Sequence, residues 1–210
     1  MNSIVDKLNW RYATKKFDSS KKVSEEDLET LLEAARLTAS SYGLQPYEIY
    51  VIEDTDVRQK LRKASYDQPQ ITDASYLIVL ANKPTFNETM IDDYIANIMA
   101  IRGVSKEDLK GFSQTMKSTL LDLPDAYKNT WTSNQAYIVL GNLMTVASEM
   151  KIDTCPMEGF DKAKYNEILG LTDKDLNAAV VLAVGYRSAD DTTQHYPKVR
   201  YSKEQIITHI

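Results

Sequence analysis

Residues 129–150 constrain the fold of this chain more than any other stretch. At helical spacing they place Ala136, Val139, Leu140, Leu143, Met144, Ala147 and Met150 on one face, while Tyr137, Ile138 and Val146 make other faces apolar too. A helix that is apolar on several sides must be covered on several sides. It either runs through the core or lies beneath a subunit interface, and Gly141 leaves room there for a second backbone to come close. Lipid is not the expected cover. The longest uninterrupted apolar run, residues 178–184, is far too short to cross the roughly 30 Å hydrocarbon layer as a helix.

The rest of the chain supplies the partners for such a helix. Leu28, Leu31, Leu32, Ala35 and Ala39 repeat at helical spacing behind Ser24, whose hydroxyl can cap the first turn, and Asp27 stands where a capping-box acid belongs. Residues 48–53 alternate Ile49 and Val51 with more polar neighbours, and residues 76–81 and 178–185 are compact aliphatic runs of strand length. The latter two read as buried strands. Helical patterns occupy residues 56–64, 92–101, 106–121 and 161–169. Long helices separating a few strands, without regular strand-helix alternation, predict mixed α+β architecture. No repeat, low-complexity tract or linker divides the sequence, so residues 1–210 read as a single domain.

Several functions are disfavoured at the same level. The formal net charge is -5 and the basic residues Lys21, Lys22, Lys60, Arg62 and Lys63 are interleaved with acidic or polar ones, which predicts no nucleic acid or membrane partner. Met1 to Trp10 carries Asp6 and Lys7 within a short amphipathic pattern rather than a secretory leader, so a cytoplasmic location is expected. A lone cysteine, Cys155, forms no intrachain disulfide, and two histidines, His195 and His209, both near the C-terminus, make a histidine metal site or a central histidine base improbable. No metal is expected. No glycine-rich dinucleotide fingerprint, phosphate loop or H-E-x-x-H occurs.

Four separated segments carry chemistry. Arg11-Tyr12-Ala13-Thr14-Lys15-Lys16-Phe17 supplies a planar donor fork for phosphate and a second cation. Ser40-Ser41-Tyr42-Gly43-Leu44-Gln45-Pro46-Tyr47 ends a helix with hydroxyl residues and enters a strand through Pro46. Cys155-Pro156-Met157-Glu158-Gly159-Phe160 follows a short extended piece, residues 152–154, and its Pro and Gly fix a loop whose amides can face a ligand. Pro197-Lys198-Val199-Arg200 puts two cations on one side of an extended backbone. Each alone is also an ordinary loop or solvated surface.

Together, in this order and spacing and with Asp73-Ala74-Ser75-Tyr76-Leu77-Ile78-Val79-Leu80, these segments make the chain similar over essentially its whole length to the nitroreductase family, in particular to bacterial oxygen-insensitive NAD(P)H nitroreductases and flavin reductases. The resemblance implies an FMN-binding α+β fold with a central, mostly antiparallel sheet surrounded by helices, a long buried central helix, and a homodimer. It implies that Arg11, Lys198 and Arg200 hold the FMN phosphate and that Lys15 approaches the pyrimidine end of the flavin, where positive charge stabilises the reduced ring. Tyr12 and Ala13 share that binding loop, Ala13 through its backbone only, since relatives often carry serine there. Ser40 and Ser41 resemble the loop that reaches the partner subunit's flavin. Asp67 and Gln70 stand where relatives place asparagine and lysine against the ring edge; Gln70 retains donor and acceptor, whereas an ionised Asp67 cannot donate. Pro156, Met157, Glu158 and Gly159 resemble the loop against the central ring, with an amide near Glu158 facing the hydride-accepting N5 and the Glu158 side chain orienting the loop.

The implied activity takes hydride from NADPH or NADH and passes electrons to a small-molecule acceptor, such as a nitroaromatic or quinone, by ping-pong kinetics. Free-flavin reduction, azo reduction or reductive dehalogenation on the same scaffold is the nearest alternative, because fold and cofactor do not fix the substrate. A flavin-binding regulatory or storage protein with negligible turnover is the alternative from another class.

Overall fold

Strands β1 (Tyr47–Ile52), β2 (Tyr76–Asn82), β3 (Asp153–Met157) and β4 (Asn177–Gly185) form one antiparallel sheet in the order β1-β2-β4-β3. The computed structural model describes residues 3–210. Every residue of β2, and all of β4 except Asn177, is buried. The aliphatic runs have no polar alternation because both faces of the sheet are covered: Leu77, Val79 and Ala81 enter one core, Tyr76, Ile78 and Leu80 the other. The β2–β4 pairing jumps from Leu80↔Val180 to Ala81↔Ala178, which leaves Ala179 as the extra residue of a bulge. Strand β3 lies at the sheet edge, where a proline such as Pro156 is tolerated. It extends past the short piece read from the sequence.

Helices α1 (Ile4–Trp10), α2 (Glu25–Arg36) and α7 (Asp125–Glu149) lie on one side. Leu28 and Leu31 of α2 and Val139, Leu140, Leu143 and Ala147 of α7 pack on Ile78, Leu80, Leu182 and Val184. Helices α3 (Thr55–Lys63), α4 (Gln70–Asp73) and α8 (Lys162–Leu169) cover the other side through Leu61, Ile71 and Tyr165. Helices α5 (Glu88–Arg102) and α6 (Lys110–Leu120) build a separate apolar cluster with Leu44, and α9 (Lys203–Ile206) interrupts an exposed C-terminal tail.

Two local expectations change. The Asp27 amide donates to Ser24 Oγ at 3.1 Å as a cap requires, but the Asp27 carboxylate accepts from the Ser24 hydroxyl at 2.8 Å rather than completing a capping box. The long helix does not run through the core. It lies on one face of the sheet with its far side open, so Ile138 remains 48% exposed. Among the described residues, nothing beyond its own helix turn and chain neighbours comes within 4 Å of a Cβ placed on Gly141, so the close approach expected there is not made within one subunit. Among the described residues no helix is long and apolar enough to cross a membrane.

Candidate functional site

The segment after α1 is drawn beside β3, because the Thr14 amide donates to the Thr154 carbonyl at 3.2 Å and Ala13 bridges Thr154 in parallel register. This brings Arg11 and Lys15 into the electrostatic neighbourhood of Cys155, whose thiol pKa is pushed up by burial while both cations oppose the shift. Burial and the absence of a base keep that thiol inert. Four donors converge on Asp191, which is 1% exposed: the Tyr12 hydroxyl at 2.8 Å and the amides of Lys15, Lys16 and Thr193 at 2.8, 3.1 and 3.0 Å. Burial alone would raise the Asp191 pKa, but these bonds outweigh it and hold the carboxyl below its ordinary value. Burial and the Asp191 carboxylate raise the Tyr12 phenol, so its hydroxyl is committed as a donor and only its ring and backbone remain for a ligand. The sequence reading missed Asp191. Lys15 lies 176 residues away in the chain, and no local pattern announces the bond.

A cleft of about 390 Å³ opens beside this loop, lined by Arg11, Ala13, Pro156, Lys198 and Arg200 and by no carboxylate. Arg11 Nε is buried without a partner. Burial and the neighbouring Arg200 lower the Arg11 pKa, and burial together with Arg11 and Arg200 lowers that of Lys198. These are cations that disfavour one another and that an anion would relieve. Their reach differs from the simple one-sided pair expected. Lys198 Nζ donates to the Leu8 carbonyl at 2.6 Å and to the Arg11 carbonyl, at the end of α1, while Arg200 stays exposed and bonds its neighbour's Val199 carbonyl at 2.6 Å.

Beyond Pro156 the chain enters the loop of Glu158 and Gly159. The Glu158 carboxylate accepts from the Tyr137 hydroxyl of α7. The Gly159 carbonyl accepts from Gln68 Nε2 at 2.8 Å, the Glu158 carbonyl from the Phe160 amide at 2.9 Å, and the Asp161 amide donates to the Ala64 carbonyl at 2.8 Å. Among the described residues the amides of Glu158 and Gly159 donate to no turn or loop partner. The loop's acceptors are taken and two adjacent donors are left. Met157 is buried in the core, so its side chain is withdrawn from the site and only its backbone remains for the role expected of it.

Gln70 opens α4 at 6% exposure, and its Oε1 is buried without a partner. Asp67 is exposed in the left-handed region at φ 57°, beside Tyr66 at φ 54°, and its amide donates to the Arg62 carbonyl at 3.0 Å. The Lys15 side chain is exposed. Ser40 and Ser41 do not join the cation cleft. The Ser41 amide donates to Gln135 Oε1 on α7 at 2.8 Å, and Ser40 Oγ accepts from the Gln45 amide at 3.0 Å. Tyr137, Gln68 and Gln135 are contributors that sequence reasoning passed over; their residue types carried no signal, since each acts across a long-range contact. Among the described residues no cluster of His, Cys, Asp or Glu is arranged to hold a metal.

The unpartnered Arg11 Nε, the cations without a counter-charge, the buried Gln70 Oε1 and the free amides at Glu158 and Gly159 fit a ligand with a phosphate at one end and a ring edge offering both donors and acceptors at the other. FMN has that chemistry.

The nitroreductase family model matches residues 8–186. A Staphylococcus haemolyticus protein is 37% identical, with 98% of this chain and 96% of that protein covered. The major NAD(P)H-flavin oxidoreductase of Aliivibrio fischeri is 34% identical over 98% of this chain and 97% of its own length. In fold, the chain is similar to an Exiguobacterium sibiricum protein solved in complex with FMN, with a TM-score of 0.83 and 21% identity, covering all of this chain and 98% of that one.

Proposed function

The chain belongs to the nitroreductase family, and on that premise we propose that it is an FMN-dependent NAD(P)H oxidoreductase that reduces nitroaromatic, quinone or related small-molecule acceptors. The observation that carries this reading is the pairing of a carboxylate-free cleft of cations, Arg11, Lys198 and Arg200, with the free amides of Glu158 and Gly159 farther along the strand that Arg11 runs beside. FMN, when bound, accepts a hydride and releases the electrons to a second substrate. Arg11 and Arg200 bind the phosphate by charge-assisted donation, with Lys198 adding field from its perch on the α1 carbonyls. Lys15, free to swing from an anchored backbone, lowers the energy of negative charge at the pyrimidine end. The amides of Glu158 and Gly159 would hold the ring by donation, Gln70 would address its edge, and the Glu158 side chain would hold the loop rather than move a proton.

The functional unit in this reading is a cytoplasmic homodimer. Ser40 and Ser41 stand away from the chain's own cleft, and α7 presents Ile138 and the open surface over Gly141 for a second copy. In this reading NAD(P)H and acceptor would visit the same site in turn, and the kinetics would be ping-pong.

The test is rapid mixing of the flavin-loaded protein with NADPH and with NADH, followed by steady-state turnover against nitro, quinone and free-flavin acceptors. Bleaching of the flavin and parallel double-reciprocal lines are expected. A flavin that stays oxidised with both nicotinamides would make the protein a binding or storage module, and intersecting lines would replace the alternating-site scheme with a ternary complex.

A further inference from the structure

Helix α7 contributes Tyr137 to the flavin site indirectly. We infer that Tyr137 is a positioning residue: through its hydrogen bond to the Glu158 carboxylate it holds the Glu158 and Gly159 amides in the orientation that discriminates oxidised from reduced flavin. The inference rests on the flavin site proposed above and adds what sets the loop's geometry.

The loop is gripped from two sides. Tyr137 takes the Glu158 side chain from α7, and Gln68, in the connection between α3 and α4, takes the Gly159 carbonyl at 2.8 Å. The two grips come from opposite faces of the sheet, since α7 packs on one core and α3 on the other. Between them, among the described residues, the amides of Glu158 and Gly159 are left to donate. The Tyr137 end is dependable across the working pH range, because burial first and the Glu158 carboxylate second push the phenol up to about 12, and it therefore remains a donor. Glu158 itself is exposed, and among the described residues the bond from Tyr137 is the one hydrogen bond its side chain makes.

The consequence for the cofactor follows from donor and acceptor counting. Oxidised flavin offers N5 as an acceptor, which a rigid amide satisfies; reduced flavin carries hydrogen on N5, and the same fixed donor then faces another donor. A held loop therefore favours the oxidised form relative to the reduced form and keeps the reduced ring a strong donor of electrons. Releasing the loop lets the amide turn away on reduction.

Tyr137→Phe keeps the ring and removes the hydroxyl. The measurement is the affinity for FMN in both redox states, by fluorescence titration of stripped protein and by dye-coupled reduction of the loaded protein. The expected outcome is about a tenfold shift in the ratio of the two dissociation constants toward the reduced form, or roughly 30 mV more positive for a two-electron couple, with affinity for oxidised FMN within about threefold of the unsubstituted chain because the phosphate cleft is untouched. Glu158→Ala should give the same shift, and the double substitution no more than either alone. An unchanged ratio, equal losses in both states, or additive shifts would overturn the inference. Failure of the underlying site reading looks different: the unsubstituted chain would then take up no flavin at all.

Discussion

The two ends of the candidate site are built on opposite principles. At one end Arg11, Lys198 and Arg200 crowd together without a carboxylate, and each of the first two holds a pKa lowered by burial and by its neighbours. At the other end the loop of Glu158 and Gly159 carries no net cluster of charge, and its geometry is fixed by Tyr137, Gln68 and the Asp161–Ala64 backbone bond. The first end is electrostatically incomplete and geometrically loose, since Arg200 lies on an exposed tail; the second is geometrically complete and electrostatically quiet. Binding strength should therefore reside at the first and redox tuning at the second.

The largest effect is expected where one support holds up the loop joining the ends. Asp191→Ala removes the acceptor of the Tyr12 hydroxyl and of the Lys15, Lys16 and Thr193 amides, leaving four part-buried donors without it. A loss of about 3 kcal/mol in urea unfolding is expected, with FMN binding weakened as a secondary result. Its pH dependence has a definite sign. The folded carboxyl titrates below the unfolded value of about 3.9, so its contribution is complete above that pH and fades as pH falls through the lower folded value. Asp191→Asn should accordingly flatten the acid limb of stability below about pH 4; an acid limb identical to that of the unsubstituted chain would remove Asp191 from this role.

What the sequence announced and what it concealed divide along similar lines. The buried strands β2 and β4 were legible because packing on both faces leaves an aliphatic run, and α2 because its cap and its period agree. The full length of β3 was not, since Pro156 argues against a strand unless an edge position is known, and the sheet order is set by contacts far apart in the chain. The helix α7 begins at Asp125, in a polar first turn behind Pro124 where hydrophobic period gives no signal. In the site, the phosphate-end cations were visible as charge in a spacing, whereas Gln68 and Asp191 look like ordinary surface residues, and Tyr137 like one more apolar residue of its helix, until the fold brings Glu158, Gly159 and Lys15 to them. A pattern of residue types reveals what a ligand needs; the second layer that fixes it is written only in long-range hydrogen bonds.

The next effect tests the incomplete end alone. Arg11→Ala should weaken FMN binding by about 1.5–3 kcal/mol, roughly 10- to 150-fold, with Arg200→Ala and Lys198→Ala losing less, because Arg200 is exposed and Lys198 already bonds two carbonyls. Titration of stripped protein with FMN at 0.05 and 0.5 M salt sharpens the contrast. The unsubstituted chain should lose several-fold in affinity at high salt, and Arg11→Ala should be less sensitive, because part of the screened attraction is gone. Riboflavin, which lacks the phosphate, should bind weakly and be insensitive to Arg11→Ala. Equal binding of FMN and riboflavin would dissolve the distinction between the two ends.

The smallest effect is expected from Gly159→Ala, and it decides what that glycine is for. Gly159 does not occupy the left-handed region that L side chains avoid, and a Cβ there meets only the tip of Gln68, Nε2, at 3.3 Å. That contact is tight but belongs to the end of a flexible side chain, so Gln68 can withdraw by a few tenths of an ångström and lengthen its bond to the Gly159 carbonyl. A stability loss below about 1 kcal/mol is expected, with affinity for oxidised FMN reduced less than about threefold and a small redox shift in the same direction as Tyr137→Phe, since both loosen the same loop. Gln68→Ala should reproduce the redox shift without adding a methyl group. If Gly159→Ala instead abolishes FMN binding while Gln68→Ala does not, the glycine is required by close approach of the flavin itself, and the ring end is shaped by contact with the cofactor rather than by the grip from Gln68.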